Sequence, residues 1–127
     1  MMTDDELIKA GLELAEACGF TVHANDKRPE IGFFVKPGGI WGGKPVALAT
    51  SVDAIVRDVF PVLDARFGAG MWYLETSTDS ARTFVTLGVR KRLPRNAAPT
   101  REFYGEGESL PYALNRALVA ALTEVAK

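Results

Sequence analysis

The stretch Arg101-Glu102-Phe103-Tyr104-Gly105-Glu106-Gly107-Glu108-Ser109-Leu110-Pro111, running into Tyr112-Ala113-Leu114-Asn115-Arg116-Ala117-Leu118, sets the C-terminal architecture of this chain. Its first half alternates as a strand does. Ser109 is then a natural N-cap, and Pro111 falls in the first turn of a helix, where a missing N–H costs nothing. From Leu110 to about Ala126 the residues Leu114, Ala117, Leu118, Ala121, Leu122 and Val125 recur at helical spacing. The helix is nearly apolar all round, which predicts the most buried helix of the fold.

Working back from it, Met71–Thr78, Thr83–Lys91 and Arg101–Glu106 read as a three-stranded meander. Asp79-Ser80-Ala81 makes its first turn, and Val85, Leu87 and Val89 share one face. Ser51 starts the preceding helix, with Val52, Ile55, Val56, Val59 and Leu63 inward and Asp53, Arg57, Asp58 and Asp64 outward. Pro61 predicts a break near Val59 before that helix reaches Phe67. At the N-terminus, Thr3 followed by Asp4, Asp5 and Glu6 caps a helix to about Gly19. Phe20–Ala24 and Glu30–Lys36 then form a hairpin, with Ile31, Phe33 and Val35 on one face. Pro37–Pro45 reads as a glycine-rich loop and Val46–Ala49 as a short extended piece. The order is αββαβββα, an α+β fold in one domain, 1–127, with an antiparallel sheet packed by helices. The strands are expected to form one five-stranded sheet, or a meander of three with an added hairpin of two.

At 127 residues the chain can bury roughly two-thirds of its unfolded surface and needs no disulfide or metal staple. Its formal charge of −1 argues against a dedicated nucleic-acid binder. The single Cys18 excludes a disulfide framework and reads as a buried structural thiol. The acidic start is unlike a signal peptide, and no apolar run is long enough to span a bilayer, so the expected location is the cytoplasm.

Chemistry-bearing patterns are few. Gly38-Gly39-Ile40-Trp41-Gly42-Gly43-Lys44-Pro45 matches the phosphate-binding loop GxxxxGK[ST] up to Lys44, but Pro45 replaces the Mg²⁺-binding hydroxyl and lacks an N–H, and no helix is expected to begin there. A connector, or a contact loop in which Trp41 anchors a partner, reads better. His23 is the only histidine, no cluster has metal-ligand spacing, and the serines read as caps or turn residues, so neither metal nor cofactor is expected and the chain reads as non-enzymatic. Arg90, Lys91, Arg92, Arg95 and Arg101 place five positive charges and no acid between 90 and 101 on an otherwise acidic chain. Such an arm can hold phosphates or the acidic face of a protein, or it can be a solvated loop that keeps sheet edges from pairing.

From Ser51 onward the order αβββα is similar to that of double-stranded-RNA-binding domains. Glu106, Glu108, Pro111 and Asn115, however, stand where that module presents a lysine cluster to phosphates. Thr50-Ser51-Val52-Asp53-Ala54-Ile55-Val56 and Ser109-Leu110-Pro111-Tyr112-Ala113-Leu114-Asn115-Arg116-Ala117-Leu118 resemble the two anchor segments of the small phage-encoded ABA-sandwich domain proteins, over about residues 46–126. The resemblance implies an origin in a phage or prophage and brings no catalytic residues. The expected function is that of an accessory protein that binds a host protein or ribonucleoprotein complex, such as an inhibitor of bacterial defence of the anti-CRISPR kind. Arg90, Lys91, Arg92, Arg95, Arg101 and Trp41 are its candidate contacts. The alternative is a binder of a nucleotide signal, stacking its base on Trp41, Trp72 or Tyr104 and holding its phosphate with Arg90, Arg92 or Arg95. An enzyme comes third. No membrane partner is expected.

Overall fold

A computed structural model describes residues 2–25, 28–90 and 99–125. Helix α1 (Asp4–Ala17) starts where Thr3 accepts a hydrogen bond from the Glu6 N–H at 3.2 Å, and the acidic first turn complements its dipole. Strands β1 (Thr21–Asn25) and β2 (Arg28–Lys36) pair antiparallel, and β2 also pairs with the two-residue β3 (Ile40–Trp41). Three helical pieces follow, α2 (Ala47–Thr50), α3 (Val52–Asp58) and α4 (Phe60–Phe67), with Val59 at the junction of the last two and Pro61 in the first turn of α4. The meander β4 (Trp72–Asp79), β5 (Arg82–Arg90) and β6 (Pro99–Gly107) then leads into α5 (Leu110–Val125).

The strands therefore make two three-stranded antiparallel sheets, β1-β2-β3 (sheet 1) and β4-β5-β6 (sheet 2). This is the meander-plus-hairpin form with one strand added. The extra strand comes from the glycine stretch, which folds as a hairpin return. Lys36-Pro37-Gly38-Gly39 closes with the Gly39 N–H donating to the Lys36 carbonyl at 3.2 Å, and Gly38 sits at φ +89°. Proline second and a left-handed glycine third is the chemistry of a type II turn. The pairing continues beyond β3, for the Gly42 N–H donates to the Phe34 carbonyl at 2.9 Å. The extended piece expected at Val46–Ala49 is instead helical. Ala47, Leu48 and Ala49 favour a turn of helix, and Leu48 and Ala49 are buried where that turn packs on α1 and α5. A helix does start after Lys44, contrary to expectation, but it is one turn long.

One hydrophobic cluster joins all layers. Helix α5 lies on β5 and β6, α1 packs on α5, and β1 and β2 pack on α1. At Gly105 the approach of α5 is so close that a Cβ would stand 2.1 Å from the Ala113 carbonyl oxygen and 2.4 Å from the Ala117 nitrogen. Leu114, Ala117, Leu118, Ala121 and Leu122 are buried, as the apolar spacing of α5 predicts, Ala113 joins them, and the side chain of Val125 lies outside the described residues. Asn115 is buried among them with every hydrogen-bonding group of its amide used. Its Nδ2 donates to the carbonyls of Ala10 in α1 at 3.0 Å and Leu48 in α2 at 2.7 Å, and its Oδ1 accepts from Arg116 at 2.6 and 3.0 Å.

On β2, Phe33 and Val35 share one face as expected and are half-buried, Phe34 on the opposite face enters the core, stacked on Phe20 at 5.2 Å, and the side chain of Ile31 lies outside the described residues. Two side-chain assignments differ from expectation. On α3, Asp58 was expected outward and is 1% exposed, whereas Val56 was expected inward and is 43% exposed. Asp58 follows Ile55 by three residues and so shares its buried side. The burial is tolerated because Lys36 and Arg57 meet the carboxylate.

Candidate functional site: the aromatic face of sheet 1

Strand alternation divides the side chains of sheet 1 into two faces. Val22, Phe34, Lys36 and Ile40 belong to one, and Thr21, His23, Phe33, Val35 and Trp41 to the other. On the second face the rings form a ladder across all three strands. His23 stacks on Phe33 with centroids 5.0 Å apart, and Phe33 stacks on Trp41 at 4.1 Å with the planes 8° apart. Trp41 remains 67% exposed, so one of its ring faces is held by Phe33 while the rest meets water. At the register positions of the ladder, Thr21, His23, Phe33, Val35 and Trp41, there is no Asp, Glu, Lys or Arg. The rings are thus pre-stacked, and a partner that covers them has little side-chain entropy to remove.

The sequence singles out Trp41 as a candidate contact, whereas His23 and Phe33, which stack with it, carry no such mark there. Their common signal is parity. Once the turn at Pro37-Gly38 sets the register of β2 and β3, the odd-numbered residues Thr21, His23, Phe33, Val35 and Trp41 fall on one side, up to the bulge between His23 and Asn25.

The basic arm fares differently. Lys91, Arg92 and Arg95 lie outside the described residues. Its two ends, Arg90 and Arg101, point to opposite faces of sheet 2 and both have partners. Arg90 lies over the Tyr73 ring, 5.1 Å from its centroid. Arg101 lies over the Phe103 ring at 5.6 Å and is ion-paired with Glu124 of α5. The structure does not bring these two residues together, and Trp41 belongs to the other sheet. Of the other rings considered for base stacking, Trp72 donates its Nε1–H to Asp64 at 2.8 Å and meets Phe60 edge-on at 5.0 Å, which gives it a structural role. The Tyr104 hydroxyl donates to Glu102, and that bond together with the carboxylate charge raises the phenol pKa.

On the other side of sheet 1, Asp58 takes Lys36 Nζ on Oδ1 at 2.9 Å and the Arg57 guanidinium on both oxygens at 3.0 and 3.2 Å. Burial alone would raise this carboxyl. The hydrogen bonds and charges of Arg57 and Lys36 outweigh it and hold the pKa below the usual carboxylate range. Nearby Cys18 is buried, and desolvation pushes its thiol up to about 12, so it offers no thiolate at neutral pH. Among the described residues no group of His, Cys, Asp and Glu could hold a metal ion, and no helix is long and apolar enough to cross a membrane. No family model matches the chain, and neither a curated protein nor a solved structure matches it.

Proposed function

We propose that this is a non-enzymatic binding protein whose contact surface is the outer face of sheet 1, with Trp41 as the anchor. The observation that carries the reading is the His23–Phe33–Trp41 ladder, a rigid aromatic surface left open to solvent with no charged residue at its own register positions. Large aromatics in that setting concentrate binding energy, and loss of one such anchor typically costs 2 kcal/mol or more, about thirty-fold in affinity. The neutral character of the face favours a protein partner over a nucleic acid, whose phosphates call for cations. The resemblance to the phage ABA-sandwich proteins supports the narrower form, an accessory protein that covers a surface of a host component such as a defence complex.

The test is a comparison of variants on an immobilised protein exposed to bacterial extract, with captured components identified by mass spectrometry. Wild type and Tyr104→Ala, altered on the other sheet, should retain the same component, and Trp41→Ala should lose it by at least about ten-fold. Retention by Trp41→Ala with loss on the double reversal Arg92→Glu, Arg95→Glu would move the function to the basic arm. Conversion of any captured or added substrate by the protein alone would end the non-enzymatic reading.

A further inference from the structure

Behind β3, between the Lys36–Ile40 turn and α4, lies an open cavity of about 380 Å³. That volume is within the range of small-molecule sites, ~300–1,000 Å³. Its apolar wall comes from Phe20, Pro37 and Ile40 on one side and Pro61, Val62 and Ala65 on the other. Ile40 is 58% exposed there, a large aliphatic side chain without cover. Apart from the Cys18 thiol, the rest of the lining is ionic, with Lys36, Arg57 and Arg66 set against the single carboxylate of Asp58. Cations therefore exceed anions by two.

Asp58 does more than neutralise. Being buried and bonded to both Lys36 and Arg57, it holds these two cations in place at the wall while its own oxygens are occupied by them. Lys36 uses one of its three N–H donors on Asp58 and keeps two. Arg66, on the opposite wall, gives one donor to the Leu122 carbonyl at 3.5 Å and has four more. An apolar floor with an oriented surplus of donors and positive charge selects against neutral and cationic ligands, and in favour of one with a hydrocarbon body and an acidic head.

We propose that this cavity binds a small organic anion, an apolar body of a few carbons bearing one carboxylate or phosphate, with the head between Lys36 and Arg66 and the body on Ile40, Phe20 and Val62. The site is separate from the aromatic face and does not depend on its reading.

The experiment uses the intact protein and the fluorescence of 8-anilinonaphthalene-1-sulfonate, displaced by octanoate, octyl phosphate or octanol. One or both anions should displace the dye at concentrations where octanol does not, and the tighter of the two identifies the headgroup. Arg66→Gln, which leaves the Asp58 contacts intact, should weaken the anion at least about five-fold. Ala65→Trp, a small-to-large change at an exposed helical position on the cavity wall, should abolish dye and anion binding with the far-ultraviolet circular dichroism unchanged. Octanol competing as well as the anions, an absence of binding by dye and anions alike, or wild-type affinity in both variants would each overturn the proposal. Lys36→Met adds a parallel measurement, interpreted only beside Arg66→Gln because Lys36 also supports Asp58.

Discussion

Sheet 2 covers its outer face with Glu75, Glu102 and Glu106 interleaved with Arg82 and Arg90, whereas sheet 1 leaves His23, Phe33 and Trp41 stacked on one another with no described charge between them. Both sheets are three-stranded and antiparallel, and both pack one face on helices. The difference lies in what the second face is given. On sheet 2, Arg90 lies over Tyr73, Glu102 accepts from the Tyr104 hydroxyl, Arg82 pairs with Glu106 at 3.5 Å, and the edge strands carry charges that deter further pairing. Sheet 2 with α5 is the scaffold. On the function proposed above, sheet 1 presents the surface for the partner, which meets stacked rings in place of charged side chains.

The largest expected effect tests the scaffold half of that contrast. Gly105→Val places side-chain atoms against the backbone of α5 at Ala113 and Ala117, and backbone in a buried helix cannot step aside. The loss should exceed about 4 kcal/mol in chemical denaturation, or the protein should fail to fold. A cost near that of a surface glycine would mean that sheet 2 and α5 are not the tightly packed unit described.

Next in size is the tie between sheet 1 and α3. Asp58→Ala leaves Lys36 and Arg57 without their shared carboxylate and should cost about 3 kcal/mol at neutral pH. The folded pKa lies below the unfolded value of about 3.9, so the electrostatic stabilisation is complete above that value and fades as pH falls through the folded one. Wild type and variant should therefore converge in stability at the most acidic pH at which both still fold. A gap that stays constant down to that pH would assign the cost to lost packing alone.

The smallest effect on folding is expected at Trp41. Trp41→Ala removes one stacked pair from an exposed strand, and thermal unfolding should register no more than about 1 kcal/mol. A cost of several kcal/mol would show that the aromatic ladder is a structural element of sheet 1, and the contrast between scaffold and surface would fail.

Much of the scaffold was legible because its signals are local. Thr3 with its acidic first turn marks α1, Pro61 marks the break at Val59, and the alternation Val85, Leu87, Val89 marks the buried face of β5. Sheet 1 was harder for reasons of the same kind. Ile40–Trp41 is too short to show a period, and the adjacent phenylalanines 33 and 34 offer both parities at once. The turn chemistry Lys36-Pro37-Gly38-Gly39 overlaps the GxxxxGK pattern, so the same glycines fit either a loop or a hairpin turn. Asp58 could not be read as buried because its partner Lys36 is 22 residues away in the chain, and pairing at that distance leaves no local trace. For the basic arm, charge count identified a patch, while strand alternation sends its ends, Arg90 and Arg101, to opposite faces.

One side chain also governs how the helices part. The amide of Asn115 holds the Ala10 carbonyl in α1 and the Leu48 carbonyl near the end of the one-turn α2, where helical partners run out. Withdrawing α5 strands the Leu48 carbonyl and the amide itself in apolar surroundings, so opening the layer at this point is costly. The helical layer is consequently expected to open as one cooperative unit.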